Sequence, residues 1–446
     1  MVPISDPEIL AKIHHTYRLQ YLKDVVLARI LEDATFSIVQ SILFFYQNDI
    51  INYCGGNQEF LRKLFGVFKV RGDGEGVLQK KRDAVLFLQQ LCNMGKTIQL
   101  HSRIGLYHSL VEWGLIDVIE FAFLTKETTL KNAAAEMLML IIEHDADSVR
   151  MSILDKKEAK KPSIMRILID HLHEEEDMGI KSQIVEVLRI LLDCGDSATV
   201  SPQAFMQQQI VANKQLPKAD GEKFLTAFYD EDAERLFAPL RKLPDSSHIK
   251  NGARLPTASL EESALYGHLC DLLCFVNSCH AFRSQYFVIT SEISKQVAAL
   301  LQSKDKHVRC ASLRFFKSCL SNNNQFVNRH HIKISLFDIL LDIVDQEADR
   351  DNLVASACIN YFEFMQQQNM KPLMNHLAEK HTEKLRKLAD HPTAGGIFRE
   401  ILAQWEQAME AASAAAAAAE AAKKANETGA DTSSADQTAA EGSSRM

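Results

Sequence analysis

Residues that break a chain into turns are scarce in this sequence. It holds 18 glycines and 10 prolines in 446 residues, together about half of the roughly 12% expected from average usage. That scarcity excludes a turn-rich β architecture and favours long helices. Basic residues are also in deficit: Lys and Arg number 50 against 58 Asp and Glu, a formal charge of −8. A general, phosphate-directed nucleic-acid binder needs the opposite balance. No uncharged apolar stretch of about 18 residues occurs, so no membrane-spanning helix is expected. The opening Met1-Val2-Pro3-Ile4-Ser5-Asp6-Pro7 lacks the basic and apolar regions of a secretory signal. The nine cysteines (Cys54, Cys92, Cys194, Cys270, Cys274, Cys279, Cys310, Cys319 and Cys358) form no CxxC pair. With no signal they are expected to be buried thiols in a reducing compartment. Hydrophobic residues make up 46% and charged residues 24%, ordinary values for a chain that buries a core.

Catalytic signatures are missing too. Gly95-Lys96-Thr97 ends like a phosphate loop, but the glycine required five residues before Gly95 is Gln90. Gly72, Gly74 and Gly76 are interleaved with Asp73 and Glu75, which repel phosphate. His171-Leu172-His173-Glu174 is not HExxH, and the acidic run through Asp177 reads as a solvated turn. His268, Cys270, Cys274, Cys279 and His280 suggest zinc, but Leu269, Leu272, Leu273, Phe275 and Val276 surround them, which favours core thiols. Neither GxSxG nor a kinase motif set occurs. The chain is therefore read as a non-enzyme, with no catalytic, metal or cofactor-binding residues and no cofactor.

What is present is helical periodicity. In Lys131–His144, Ala134, Met137, Leu138, Ile141 and Ile142 recur at i, i+3, i+4, i+7 and i+8. Ile184, Val187, Leu188 and Leu191 repeat the pattern in Lys181–Asp193, with Val185 and Leu192 widening the stripe. A helix apolar on more than one side needs neighbours on both. Segments that start polar, place small residues early and end in large apolar ones begin at 82, 131, 181, 307 and 352, and Ser263–Asn277 is a sixth copy. A spacing near 40–50 matches the roughly 40–47-residue armadillo/HEAT period. The expected fold is all-α: an armadillo/HEAT-like helical solenoid over residues 1–405, then a disordered Ala/Ser-rich C-terminal tail over 406–446. Stacked repeats present a long surface suited to protein partners. Arg71–Gly76, Gly195–Gly221 and Leu243–Thr257 read as loops. Lys80-Lys81-Arg82, Lys156–Lys161 and Arg309/Arg314/Lys317 with Arg329 are small basic clusters, read as solvated surface; on one ridge they would hold an acidic or phosphorylated segment.

Several blocks, in order, resemble one family. Ile13-His14-His15-Thr16-Tyr17-Arg18-Leu19-Gln20-Tyr21-Leu22-Lys23-Asp24-Val25-Val26-Leu27 is similar to the opening signature of the central domain of the SMEK/Falafel proteins, regulatory subunit 3 of the serine/threonine protein phosphatase 4 complex. Ile42–Ile51, Phe60–Phe65, Phe224–Tyr229 with Ala238-Pro239-Leu240, Cys310–Phe316, Phe326–Arg329, Leu336-Phe337, Leu353–Ala357 and Phe362–Phe364 resemble later blocks. The likeness covers roughly residues 3–405. It implies a non-catalytic armadillo/HEAT-like scaffold that brings the phosphatase 4 catalytic subunit, with a second regulatory subunit, to phosphoproteins. It further implies a role in DNA-damage recovery and a nuclear location with a cytoplasmic pool, with no direct contact to nucleic acid or membrane. The family's N-terminal EVH1-like module is expected to be absent, leaving an exposed end to the stack. The residues expected to touch partners are His14, His15, Tyr17, Arg18, Tyr21, Asp24, Asn328 and Arg329, because they place polar and aromatic groups within family-like segments. The competing reading, a transport-type peptide receptor, is disfavoured because such grooves use regular Trp/Asn ladders and the chain has only Trp113 and Trp405.

Overall fold

The computed structural model describes residues 4–27, 32–70, 72, 74–194, 218–246, 254–322, 324–347, 349, 352–392 and 394–435. Among the described residues the regular elements are helical, as the shortage of breakers and the 3.6-residue periodicity require. The first elements are α1 (Pro7–Tyr21), extended by a π-helical turn at Leu22–Val26, α2 (Asp33–Gly56), α3 (Gln58–Lys69), α4 (Glu75–Gly95), α5 (Leu100–Trp113) and α6 (Leu115–Phe123). There follow α7 (Thr128–Glu158), α8 (Ile164–Glu174), α9 (Met178–Leu192), α10 (Lys218–Ala227), a second π turn at Phe228–Asp232, α11 (Ala233–Leu236), α12 (Ala238–Arg241), α13 (Leu260–Cys279) and α14 (Ala281–Thr290). The remainder are α15 (Ile293–Leu300), α16 (Lys306–Ser321), α17 (Gln325–Lys333), α18 (Leu336–Glu347), α19 (Leu353–Gln367), α20 (Lys371–Ala389) and α21 (Gly395–Ala435). Side-chain caps set many of the starts. Asp6, Asn57, Asp177, Asp305, Asn324 and Asn352 accept first-turn backbone N–H groups, and Ser259 with Glu262 forms a capping box on α13.

The helices gather into two compact units, residues 1–242 with 258–287, and residues 243–257 with 288–446. In the first, the recurring segments lie in α4, α7, α9 and α13. α7 packs against α4 and α9, and α9 also packs against α13. The alanines of α7 permit this close approach: Ala133, Ala134 and Ala135 are buried, and Met137, Leu138, Ile141 and Ile142 fill the space beyond them. In the second unit the remaining copies fall in α16 and α19, which pack on one another, while α19 also meets α21. Within each unit this is the stacked-helix arrangement of an armadillo/HEAT-like array.

Polar residues reinforce the second unit in two ways. Between α20 and α18, Lys380, Lys384 and Lys387 reach Asp338, Asp342 and Asp345 at 3.0, 2.8 and 2.7 Å, a ladder in helical step. Exposed pairs of this kind contribute little singly. Arg309 is different. It is 2% exposed and donates to Glu347 at 2.8 Å, and Arg254 and Asn352 donate to the same carboxylate. The Arg309 guanidinium holds the Glu347 carboxyl below the usual range. Arg309 therefore does not belong to a surface cluster with Arg314 and Lys317: its charge is consumed inside.

Cys54, Cys92, Cys270, Cys310, Cys319 and Cys358 are buried and the other three cysteines half-buried. Burial pushes Cys54, Cys92 and Cys358 up to about 12, which makes them inert. Of the expected loops, Leu243–Thr257 is irregular where described, while Gly195–Gly221 lies outside the described residues up to 217 and then begins α10. Glu75 and Gly76 already belong to α4. Beyond 405, α21 continues as helix to Ala435, with side chains exposed from Glu406 to Ala418. Alanine's helix propensity sustains this backbone without packing. Residues 436–446 lie outside the described residues.

Candidate functional site

Six of the eight expected contact residues share one helix and its extension. Asp6 caps α1, Pro7 opens it, and Ile9 and Thr16 turn inward. Lys12 ties the helix to α2 through Asp49 at 2.9 Å. His14, His15, Tyr17, Arg18 and Tyr21 are then left exposed, Tyr17 at 73% and Tyr21 at 54%. The π turn lets Lys23 fold back, pairing with Asp24 at 3.1 Å and lying 5.7 Å from the centre of the Phe36 ring on α2. Val25 and Val26 face outward beside it, and α2 adds exposed Ile38, Phe44 and Phe45. α1, its π turn and α2 thus expose aromatic and aliphatic groups as well as Arg18 and Asp24. Asn328 and Arg329 lie in the other unit, on α17. Asn328 is buried with Val327, His330 and His331, on the stripe by which α17 packs among α16, α18 and α20. Of that pair the Arg329 side chain faces solvent, while Asn328 is buried in this structure.

A second feature was not read from the sequence: a groove of about 1130 Å³ among α5, α6, α7 and α8. Two local devices build it. Gly114 ends α5 in the left-handed region, φ 107°, and starts α6 directly; a side chain there would be strained. Then α7 kinks at Asp145, whose φ of −149° and ψ of 63° are not helical. The Asp145 carboxylate accepts from the Ser148 N–H at 3.1 Å and from its hydroxyl, restarting the helix as an N-cap does. The His108 ring bridges neighbouring walls, with Nδ1 3.3 Å from Asp145 and Nε2 3.3 Å from Glu112. After the kink, Ser148, Met151, Ser152, Asp155 and Ala159 line the groove at helical spacing.

The groove is lined by both apolar and acidic side chains. Leu124, 70% exposed, and Met151, 37% exposed, join Val111, Ile116, Pro162 and Ile167. Six carboxylates line it (Glu112, Asp117, Glu120, Asp145, Asp147 and Asp155) against two lysines, Lys156 and Lys161. Lys156 is already committed, donating to Asp117 at 2.7 Å and Glu120 at 2.6 Å. Burial opposes its charge, but those two hydrogen bonds outweigh it and the ammonium holds its proton more firmly than usual. Burial pushes the Glu120 carboxyl up, against the lowering effect of its hydrogen bond from Lys156. Lys157 pairs at 2.6 Å with Asp232, so the Lys156–Lys161 run is not uniformly solvated. The sequence did hold signals for this groove: Trp113-Gly114 as a helix stop, and Asp145 three residues before Ser148 as a start. Both sit inside apolar periodicity that reads as continuous.

Three of the residues weighed for metal chemistry have structural partners. His280 Nε2 donates to the Leu192 carbonyl at 2.8 Å, and its Nδ1 lies 2.8 Å from the Tyr229 hydroxyl. In the acidic run, Glu175 pairs with Lys131 at 2.7 Å and Asp177 caps α9. Among the described residues no group of three His, Cys, Asp or Glu side chains is placed to hold a metal ion, and no helix is long and apolar enough to cross a membrane.

Comparison with known proteins gives a consistent answer. The family described as Phosphatase 4 regulatory subunit 3 matches residues 1–407. An uncharacterized protein of Schizosaccharomyces pombe is 31% identical over 412 residues, 90% of this chain and 47% of that protein. Suppressor of Mek1 of Dictyostelium discoideum is 24% identical, over 92% of this chain and 37% of its own length. Serine/threonine-protein phosphatase 4 regulatory subunit 3 of Drosophila melanogaster is 26% identical, over 86% of this chain and 37% of its own. The chain thus spans less than half the length of each of these relatives.

Proposed function

The chain belongs to the phosphatase 4 regulatory subunit 3 family, and from that premise we propose that it is a non-catalytic scaffold that binds a phosphatase 4-type catalytic subunit and delivers it to phosphoprotein substrates. Family membership over residues 1–407 is the observation that carries this reading. The mechanism is proximity: one stack of helices holding enzyme and substrate together raises the effective concentration of each for the other. A second regulatory subunit completes the complex. Its working place is the nucleus, with a cytoplasmic pool, and its substrates include proteins of the DNA-damage response.

The catalytic subunit is assigned to the outward face of α1 and its π-helical extension. Tyr17 and Tyr21 supply large, amphipathic contact area, a residue type enriched where binding energy concentrates. Arg18 and Asp24 supply charge for orientation, and His14 and His15 flank them. The test is capture of the purified catalytic subunit on the immobilised chain, followed by turnover of a phosphopeptide by the captured material. The wild type is expected to retain phosphatase, and the Tyr17→Ala/Tyr21→Ala pair to retain at least about tenfold less. Both side chains are exposed, so the variant keeps its fold, which circular dichroism checks. A folded wild-type chain that captures no phosphatase would overturn the reading. Undiminished capture by the double variant would overturn the assignment of the surface.

A further inference from the structure

We infer that the groove among α5, α6, α7 and α8 is a docking site for a Lys/Arg-rich protein segment that also carries an apolar anchor residue. The groove includes no residue of the α1 surface, and three features select its occupant. The first is size and shape. An open groove of about 1130 Å³ exceeds the roughly 300–1,000 Å³ of ordinary small-molecule pockets, and suits a stretch of polypeptide. The second is its apolar lining. Leu124, 70% exposed at the end of α6, and Met151, 37% exposed on α7, both line the groove. Exposed leucine and methionine side chains can seat an apolar residue, since the thioether repacks around different partners.

The third ground is charge. Six carboxylates face two lysines, and Lys156 is spent on Asp117 and Glu120. Asp147 holds Arg150, whose other hydrogen bonds go to the Leu191, Ile190 and Asp193 carbonyls. Glu112 and Asp155 stand exposed on α5 and on the second half of α7, where guanidinium or ammonium groups would meet them with charge-assisted hydrogen bonds. An acidic or phosphorylated segment would be repelled from the same place. Such rim charges set orientation and association rate, while the apolar seat supplies the contact that persists at higher salt. The kink at Asp145 lies at the groove, and Met151 and Asp155 on the helix that follows it both line the groove.

The experiment uses the whole chain and two fluorescein-labelled peptides of about a dozen residues. One alternates Lys and Arg with Leu; the other has Glu at every Lys and Arg position. Fluorescence anisotropy should show saturable binding of the basic peptide, weakening as salt is raised, and none of the acidic one. Glu112→Lys/Asp155→Lys should weaken binding at least about tenfold, and Leu124→Ser about fivefold. Glu379→Lys/Glu383→Lys, an equal change of charge at exposed positions on α20, should leave binding within about twofold. The groove variants should capture the phosphatase catalytic subunit as the wild type does, which separates this site from the α1 surface. Equal binding of both peptides, no saturable binding of the basic one, or equal weakening by the groove and α20 reversals would each overturn the assignment.

Discussion

At the scale of single residues, buried polar side chains set how this fold responds to its conditions. His331 on α17 is 1% exposed, and burial, with the neighbouring His330 adding to it, pushes its pKa down to about 3. Burial lowers His330 as well. The unfolded chain, with histidine near its ordinary 6.5, takes up protons first as pH falls. Stability is therefore fully present above about pH 6.5 and drains away below it, by up to about 1.4 kcal/mol per pH unit for each such group. Urea midpoints should fall steeply between pH 7 and pH 5, and His331→Gln should flatten that slope even if it lowers stability at pH 7. An unchanged slope in the variant would show that His331 is not held neutral. Residues of this kind were the least legible in the sequence. Arg309 looks like a surface group in a linear reading; what holds it inside is a partner far along the chain, Glu347, 38 positions away.

At the scale of elements, α7 shows what periodicity reveals and what it hides. The run from Lys131 to His144 was legible because its apolar stripe is wide and its alanines mark close packing. The kink one residue later was not, because an aspartate in the middle of a helical run looks the same whether it is solvated or caps a new helix. Asp145→Ala removes the acceptor for the Ser148 N–H and should cost about 1 kcal/mol, while Asp145→Asn, an equally good cap, should cost much less. If the kink aims the second half of α7, the alanine variant should also weaken basic-peptide binding where the asparagine variant retains most of it. Equal loss in both would mean that the carboxylate's charge, not the bend, is what the groove needs. The residues from His14 to Asp24 fall on one element, α1 and its extension, whereas Asn328 and Arg329, neighbours in sequence, lie about 100° apart around α17, one buried and one exposed.

At the scale of the whole molecule, the recurrence of one kind of segment at spacings of about 40–50 residues was the most informative feature of the sequence, and it has an energetic consequence. In the first unit the recurring helices form a line, α4 to α7 to α9 to α13, each buried by its neighbours. A stack held by nearest-neighbour interfaces distributes damage locally rather than failing at once. Leu188 lies on the α9 stripe at 0% exposure, and Leu188→Ala should cost roughly 2–5 kcal/mol of local stability. Hydrogen exchange in the folded chain should then accelerate most in α7, α9 and α13, which border the cavity. Acceleration in α1 and α2, several interfaces away, should be much smaller. Graded exchange of this kind would mean that one part of the array can loosen without melting the rest. Uniform acceleration across the unit would mean instead that it unfolds as a single cooperative body and that the near-neighbour picture is wrong.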